Sequence, residues 1–214
     1  MMIKAIAFDC WNTLFESKYA DKHPFERFAN RIDNSMEDYH YRKKFESHLM
    51  TRTYEDLREP IKQLLKELKI PPSEELLSEL KGFLYKAINN VEAFPETIEV
   101  LQELKKDYKL GLITNAFSLN FPVLQKEFGI YNLFDVTTTS FDENTIKPDP
   151  KMFIRLTAEF GLERDEILIV GDNLQDDILP AKKMSMKSLL IDRDKKHLDY
   201  PDRIESLREV KNYL

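Results

Sequence analysis

The sequence predicts an α/β protein built on a parallel sheet, with a helical segment inserted after the first strand. Two observations support this fold class. Short apolar runs alternate with amphipathic segments through residues 94–214, a pattern that favours a parallel sheet covered on both faces. Residues 16–93 break this alternation, because they carry leucines at helical spacing and no strand-like run.

Five apolar runs have the length of buried strands. They are residues 3–8, 110–114, 136–139, 167–170 and 188–191. Predicted helices occupy 95–106, 121–128, 150–160 and about 177–184 between them. Gly129 and Gly161 each follow a predicted helix and precede an apolar residue, which is the pattern of a left-handed helix end.

Residues 16–93 are predicted to form a separate helical unit, called the helical insertion below. Leucines at 64, 65 and 68 and at 76, 77, 80 and 84 mark two helices, and Pro71 and Pro72 separate them. The predicted division is a core of residues 1–15 and 94–214 and an insertion of residues 16–93.

Charge and cysteine content exclude several classes of protein. Asp and Glu outnumber Lys and Arg by 38 to 32, and this acidic balance disfavours a nucleic-acid partner. The single Cys10 excludes a disulfide framework and fits a reducing compartment. No apolar run approaches the roughly 20 residues of a membrane span, and the N-terminus lacks the pattern of a signal peptide. We expect a cytoplasmic protein without a membrane partner, and either a monomer or a homodimer.

Polar residues follow the predicted strands, where open α/β sheets place their ligand sites. In chain order they are Asp9, Thr114 with Asn115, Lys147 before Pro148, Asp172, and Asp176 with Asp177. This set suits phosphoryl transfer. A carboxylate such as Asp9 can attack phosphorus, and Asp9 and Asp172 offer oxygen ligands to Mg²⁺. Thr114 and Lys147 can bind phosphoryl oxygens.

The order Asp, Thr-Asn, Lys-Pro, Gly-Asp-Asn and Asp resembles the four motifs of the haloacid dehalogenase-like (HAD) hydrolase superfamily. The resemblance covers essentially the whole chain. It implies a Rossmann-like core, a helical cap in the place of residues 16–93, and an aspartyl-enzyme intermediate.

The resemblance also implies a role for each matching residue. By position, Asp9 is similar to the nucleophile, Thr114 and Lys147 to the phosphate binders, and Asp172 to a metal ligand. Asp177 matches the second acid of the last motif, with Asp176 as the alternative, and the Trp11 carbonyl is a further expected metal ligand. Asn115 is expected to contact the substrate. The implied activity is an Mg²⁺-dependent phosphatase of a small phosphorylated metabolite.

Trp11 departs from the family pattern. Phosphatases of the family usually carry an Asp at this position as general acid and base, and indole cannot transfer a proton at neutral pH. An aromatic residue here resembles the 2-haloacid dehalogenase branch, which works without metal and would use Asp9 with Arg42 as the halide-accepting residue. Asp172 favours the phosphatase, because its carboxylate would repel Asp9 unless a cation binds between them.

Two further interpretations remain open from the sequence. The first is a catalytically weak relative that binds a phosphorylated ligand or a protein partner. The second is a replacement general acid among His23, His40 and His48, although these are expected at the surface. Arg42, Lys43 and Lys44 are predicted on a solvated helix face unless Arg42 contacts the substrate.

Overall fold

A parallel six-stranded sheet forms the centre of the molecule, in a computed structural model that describes residues 2–17 and 23–214. The strands in chain order are β1 (Ala5–Phe8), β2 (Phe15–Ser17), β3 (Val91–Ala93), β4 (Lys109–Thr114), β5 (Val136–Thr139), β6 (Ile167–Gly171), β7 (Lys187–Ile191) and β8 (Arg203–Ile204). The sheet has the order β5-β4-β1-β6-β7-β8, and each adjacent pair is parallel. This confirms the predicted α/β class.

Helices connect the strands and cover both faces of the sheet. Those among the described residues are α1 (Pro24–Arg31), α2 (Tyr39–Leu49), α3 (Arg58–Glu67), α4 (Glu74–Asn89), α5 (Thr97–Leu104), α6 (Asn120–Phe128), α7 (Ile130–Leu133), α8 (Ser140–Glu143), α9 (Pro150–Phe160) and α10 (Leu179–Lys183). A π-helical turn covers Leu174–Ile178, and short 3₁₀ helices cover Arg164–Glu166 and Leu207–Tyr213. No helix of the described residues is both long enough and apolar enough to cross a membrane.

The alternation of side chains along β1 explains why the sheet is buried on both sides. Ile6 and Phe8 join one apolar cluster, whereas Ala5 and Ala7 join the cluster on the opposite face. All four side chains are fully buried. Such a strand reads as a continuous apolar run because neither face meets water.

Helix α9 shows how local sequence sets the helix ends. Pro150 occupies its first turn, and the Asp149 side chain accepts a hydrogen bond from the Lys151 backbone N–H at 2.8 Å. Gly161 ends the helix in the left-handed conformation, with a φ of 63°. Gly129 ends α6 in the same way, with a φ of 64°, as predicted for both glycines.

Helices α1 to α4 all lie within the helical insertion and share an apolar cluster of their own. Three residues of this cluster come from outside the insertion, namely Phe117, Leu119 and Val123, at the start of α6. Phe117 is 2% exposed. The insertion therefore packs directly on one end of α6.

Short strands at the ends of the insertion were not expected from the sequence. Residues 16–93 were predicted to hold no strand, but β2 and β3 pair antiparallel, with Phe15 opposite Ala93 and Ser17 opposite Val91. Each strand has only three residues, too few to show an alternating pattern. Strand β8, with two residues, was missed for the same reason.

Candidate active site

Three strands in the middle of the sheet place polar side chains at their carboxyl ends. Asp9 follows β1, Thr114 ends β4, and Asp172 follows β6. Because β1 lies between β4 and β6 and all three are parallel, their carboxyl ends meet at the same place. The structure thus brings the first, second and fourth sequence motifs together.

Asp9, Asp172 and Asp177 form a group called the carboxylate cluster below. One oxygen from each lies within 4.8 Å of the others. Asp177 belongs to the π-helical turn, and its side chain packs so closely on Gly171 that a Cβ atom there would collide with it. Glycine at 171 therefore allows Asp177 to reach the other two carboxylates.

Lys147 supplies the positive charge beside this cluster. Its Nζ hydrogen bonds to Asp9 Oδ1, lies 2.6 Å from Asp177 Oδ1, and donates to the Ile113 carbonyl at 3.1 Å. Burial would lower the pKa of Lys147, but the carboxylates of Asp177 and Asp9 outweigh it and raise that pKa. Lys147 is therefore a fixed ammonium group between two carboxylates.

The charge balance at the cluster suits a bound cation. Burial raises the pKa of Asp172 well above its ordinary value, and the charges of Asp9 and Asp177 raise it further. Burial also raises the pKa of Asp177 to about 7, against the opposing effect of Lys147. Three carboxylates, of which Asp9 and Asp177 are buried and Asp172 is half-buried, thus face one ammonium group. Clustered oxygen donors with surplus negative charge are the ligand set that Mg²⁺ takes in proteins, so the residues present fit this metal.

The turn after Asp9 holds Trp11 and Asn12. Asn12 has a φ of 57°, and its Nδ2 donates to Asp172 Oδ2 at 3.3 Å. Left-handed backbone is tolerated by Asn better than by most residues. Trp11 packs against the apolar cluster of the core and lines the adjoining cavity, so an indole occupies the place where the family's second carboxylate is expected.

Asn115 fixes the backbone that carries Lys147. Its Oδ1 accepts a hydrogen bond from the Lys147 backbone N–H at 2.8 Å. Its Nδ2 donates to Glu46 Oε2 at 3.1 Å, and Glu46 belongs to helix α2. Asn115 thus contacts both the lysine loop and the helical insertion.

The basic residues of α2 do not form a solvated face, which corrects the expectation for Lys43. Lys43 Nζ donates to Asp176 Oδ2 at 2.8 Å and to the Lys147 carbonyl at 2.9 Å. Arg42 lies 3.5 Å from Asp176 and 3.9 Å from Glu46. Only Lys44 matches the expectation, since its side chain is 45% exposed. The acidic partners of Arg42 and Lys43 are Asp176 and Glu46, whereas Asp177 lies in the carboxylate cluster.

A cavity of about 480 Å³ opens between the strand ends and the helical insertion. It is lined by the carboxylate cluster, Lys147, Trp11, Asn115 and Arg42, all of them sequence-predicted site residues. Thr114 is buried and is not among the lining residues, and its hydroxyl has no hydrogen-bond partner within the described part of the chain. The geometry therefore gathers the predicted residues at one site, with Thr114 just beneath its surface.

His23 also lines this cavity, contrary to its expected place at the surface. Its Nδ1 accepts a hydrogen bond from the Phe25 backbone N–H at 3.1 Å. Burial lowers its pKa, although Glu26 opposes the shift. Both observations favour the neutral imidazole, which is a poor proton donor at neutral pH.

Sequence reasoning missed Lys43, Glu46 and Asn120 as residues of this region. Glu46 and Asn120 line the cavity, and Lys43 joins α2 to the lysine loop. Each belongs to a helix rather than to a strand end. A carboxylate or a lysine on a helix gives no sequence signal that distinguishes it from a solvated residue.

Fold and site together define an α/β enzyme whose carboxylates and lysine meet at the ends of parallel strands. The chain belongs to the haloacid dehalogenase-like hydrolases, since the model of that family matches residues 3–184. It is therefore a hydrolase.

Relatives of this chain include proteins of two activities. It is 26% identical over 208 residues to a glyceraldehyde 3-phosphate phosphatase from Methanopyrus kandleri. The aligned region covers 91% of this chain and 86% of that protein. Its fold is similar to a HAD phosphatase from Thermococcus onnurineus, with a TM-score of 0.64, 24% identity and coverage of 99% and 97%. Its fold is also similar to that of the L-2-haloacid dehalogenase from Xanthobacter autotrophicus, with a TM-score of 0.63, 20% identity and coverage of 99% and 98%. The structural likenesses establish the fold alone.

Proposed function

We propose that this chain is an Mg²⁺-dependent phosphatase that hydrolyses a small phosphorylated metabolite through an aspartyl-phosphate on Asp9. The observation that carries the proposal is the carboxylate cluster, in which Asp172 and Asp177 lie within 4.8 Å of Asp9. A nucleophilic carboxylate with two further carboxylates beside it needs a cation before it can approach an anionic phosphate.

Asp9, Trp11 through its backbone carbonyl, Asp172 and Asp177 are the proposed metal ligands. When bound, Mg²⁺ offsets their negative charge and stabilises the charge that develops on the phosphoryl oxygens. Lys147 hydrogen bonds to one oxygen of Asp9. Its ammonium group also supplies positive charge to the phosphoryl oxygens. Thr114 and Asn115 are proposed to complete the phosphate site from β4.

The proposed reaction has two displacements at phosphorus. An Asp9 carboxylate oxygen forms a bond to phosphorus while the bond from phosphorus to the ester oxygen breaks. That oxygen leaves as an alkoxide or aryloxide and takes its proton from water. Water then attacks the same phosphorus, the Asp9–phosphorus bond breaks, and phosphate is released. Trp11 cannot protonate the leaving oxygen, so esters with acidic leaving groups should react fastest.

The helical insertion, residues 16–93, is proposed to act as the cap of the site, and residues 1–15 and 94–214 as the catalytic core. Two hydrogen bonds between the insertion and the core support this role, since Lys43 donates to the Lys147 carbonyl and Glu46 accepts from Asn115 Nδ2. Closing the insertion over the strand ends would exclude bulk water while the substrate is held for the attack of Asp9, and reopening would admit the water that hydrolyses the aspartyl-phosphate.

Glyceraldehyde 3-phosphate is the first substrate to test, because the Methanopyrus relative carries that name. We expect phosphate release from this compound and from p-nitrophenyl phosphate with Mg²⁺, and loss of release with EDTA or Asp9→Asn. Asp107→Asn, at an exposed aspartate outside the site, is the matched control. Phosphate release that survives both EDTA and Asp9→Asn would refute the proposal.

A 2-haloacid dehalogenase is the second candidate, and Arg42 is the observation that favours it. Arg42 lines the cavity, and its Nε has no hydrogen-bond partner among the described residues. This function predicts chloride release from 2-chloropropionate that EDTA does not affect and that Arg42→Lys reduces. No chloride release at any concentration of EDTA or Mg²⁺ would exclude it.

A further inference from the structure

Asn120 is a buried amide in the cavity wall that the proposed reaction does not use. Its side chain is 3% exposed, and it lies at the start of α6, three residues after Phe117. Its Oδ1 has no hydrogen-bond partner among residues 2–17 and 23–214. Buried carbonyl oxygens are nearly always paired in folded proteins, so an unpaired one that borders a cavity suits a hydrogen-bond donor from a ligand.

The charge of the cavity wall restricts which ligand this is. Among the described lining residues, seven are carboxylates and three are lysine or arginine. Four of the carboxylates lie outside the carboxylate cluster, and they are Glu26, Glu37, Glu46 and Asp176. Two of these four are already neutralised, because Lys43 lies 2.8 Å from Asp176 and 2.7 Å from Glu46. Glu26 and Glu37 are therefore the outer carboxylates that would disfavour a second negative group on the substrate.

The three cations do not change this balance, because each already contacts a carboxylate. Lys147 lies between Asp9 and Asp177. Arg42 lies 3.5 Å from Asp176, and Lys196 lies 2.8 Å from Asp194. A carboxylate on the substrate would have to compete with these partners for its counter-charge.

Apolar side chains complete the wall beside Asn120. Phe25, Ala87 and Phe117 line the same cavity. Phe117 and Phe25 also pack on each other, with ring centroids 5.7 Å apart. Such a wall suits a short carbon chain, with the Asn120 amide as a polar group that fixes its orientation.

On the premise of the proposed phosphatase, we infer that Asn120 is a specificity-determining residue that accepts a hydrogen bond from a hydroxyl group on the uncharged carbon chain of the substrate. The substrate class is therefore a neutral hydroxyaldehyde or polyol phosphate. Phosphates that carry a further carboxylate are disfavoured by the acidic wall.

The experiment measures binding without turnover, so that it remains informative if the proposed activity fails. Dissociation constants are measured by calorimetry on the full chain carrying Asp9→Asn, with Mg²⁺ present. One ligand pair is glyceraldehyde 3-phosphate and 3-phosphoglycerate, which differ by an aldehyde against a carboxylate. The other pair is glycerol 3-phosphate and n-propyl phosphate, which differ by the hydroxyl groups.

We expect the uncharged aldehyde to bind at least tenfold more tightly than the carboxylate, and glycerol 3-phosphate about tenfold more tightly than propyl phosphate. Adding Asn120→Leu should bring the ratio of the dissociation constants of propyl phosphate and glycerol 3-phosphate close to one. Asn89→Leu, at an exposed asparagine outside the cavity, should leave it unchanged. Asn120→Ala is the second variant if leucine disturbs folding.

Three outcomes would overturn the inference. The first is binding of 3-phosphoglycerate that equals or exceeds that of glyceraldehyde 3-phosphate. The second is a preference for glycerol 3-phosphate over propyl phosphate that both Asn120 variants retain. The third is no binding of any of the four ligands. Failure of the proposed phosphatase is read separately, as an absence of phosphate release by the wild-type chain. Binding ratios as expected without such release would leave Asn120 as part of a ligand site on a chain that is not a phosphatase.

Discussion

Lys43 and Asp176 form an ion pair of 2.8 Å that joins helix α2 of the insertion to the π-helical turn of the core. Both side chains are largely buried, at 16% and 7% exposure. Asp176 is the direct neighbour of Asp177, and Lys43 also contacts the carbonyl of Lys147. One lysine of the insertion thus contacts the turn that carries Asp177 and the loop that carries the proposed phosphate-binding lysine.

Lys43→Met should lower kcat/KM about tenfold or more, because it removes a charge-assisted hydrogen bond between the insertion and the core. Lys44→Met is the matched control, since Lys44 pairs with Glu67 at the surface, with both side chains more than 40% exposed. Steady-state kinetics on the best phosphate ester tests this. Equal kinetics of the two variants would show that the contact does not support catalysis.

Gly171→Ala should destabilise the protein by about 1–3 kcal/mol, because the new methyl group would collide with the Asp177 side chain. Displacing Asp177 also moves a partner of Lys147, so kcat/KM should fall at least tenfold. Gly82→Ala, within α4, meets no atom within 4 Å and should stabilise by about 0.5–1 kcal/mol. Urea unfolding and kinetics check both variants, and a fully active Gly171→Ala enzyme would contradict the role of this glycine.

Trp11→Asp should restore proton transfer to the leaving group. We expect the rate on alkyl phosphates to rise by about 10² or more, with a smaller gain on p-nitrophenyl phosphate, whose leaving group needs no proton. Trp11→Phe keeps an aromatic ring without a carboxyl group and should give no gain. If both variants respond alike, cavity volume rather than proton transfer explains the effect.

Glu96 should make stability depend on pH in the acidic range. Its carboxylate accepts a hydrogen bond from Arg193 at 2.7 Å. Burial opposes ionisation, but Arg193 and the neighbouring backbone N–H groups hold the pKa of Glu96 below its ordinary value of 4.5. A carboxyl group with a lowered pKa stabilises the fold fully above its unfolded pKa, and the effect is lost as the pH falls through the folded value.

Glu96→Gln should therefore lower the free energy of unfolding by about 1–2 kcal/mol at pH 7, and by progressively less below pH 4.5. Glu99→Gln, in an exposed pair with Arg208, should change it little at any pH. Urea unfolding at several pH values measures both. If the loss of unfolding free energy in Glu96→Gln stays constant down to pH 3, ionisation of Glu96 is not its cause.

The sheet and the order of its motifs could be predicted because buried parallel strands leave a strong apolar signal. Strand β5 and helix α9 have the predicted bounds. The same logic predicts that Asp9 and Asp172 lie together, since they follow neighbouring parallel strands, and Asp177 lies in the turn five residues after Asp172. Their catalytic and metal-binding roles remain predictions that the experiments above test.

Contacts made across the cavity could not be predicted. Lys43 and Asn120 sit on helices whose mutual placement depends on the packing of Phe117 and its neighbours, which no local pattern encodes. Strands β2 and β3 were missed because three residues carry no periodicity. Sequence patterns thus predict the sheet, whereas the residues that the insertion contributes to the cavity can be identified only from the structure.

Phe117 limits how freely the insertion could be exchanged between relatives. It belongs to the sheet-bearing part of the chain but is buried in the apolar cluster of the insertion. Deleting residues 16–93 would leave Phe117, Leu119 and Val123 as an exposed apolar surface at the start of α6 and the segment before it, and would promote aggregation. A chimera that receives a foreign insertion would need matching changes at these three positions, so the two parts of this chain are not interchangeable modules.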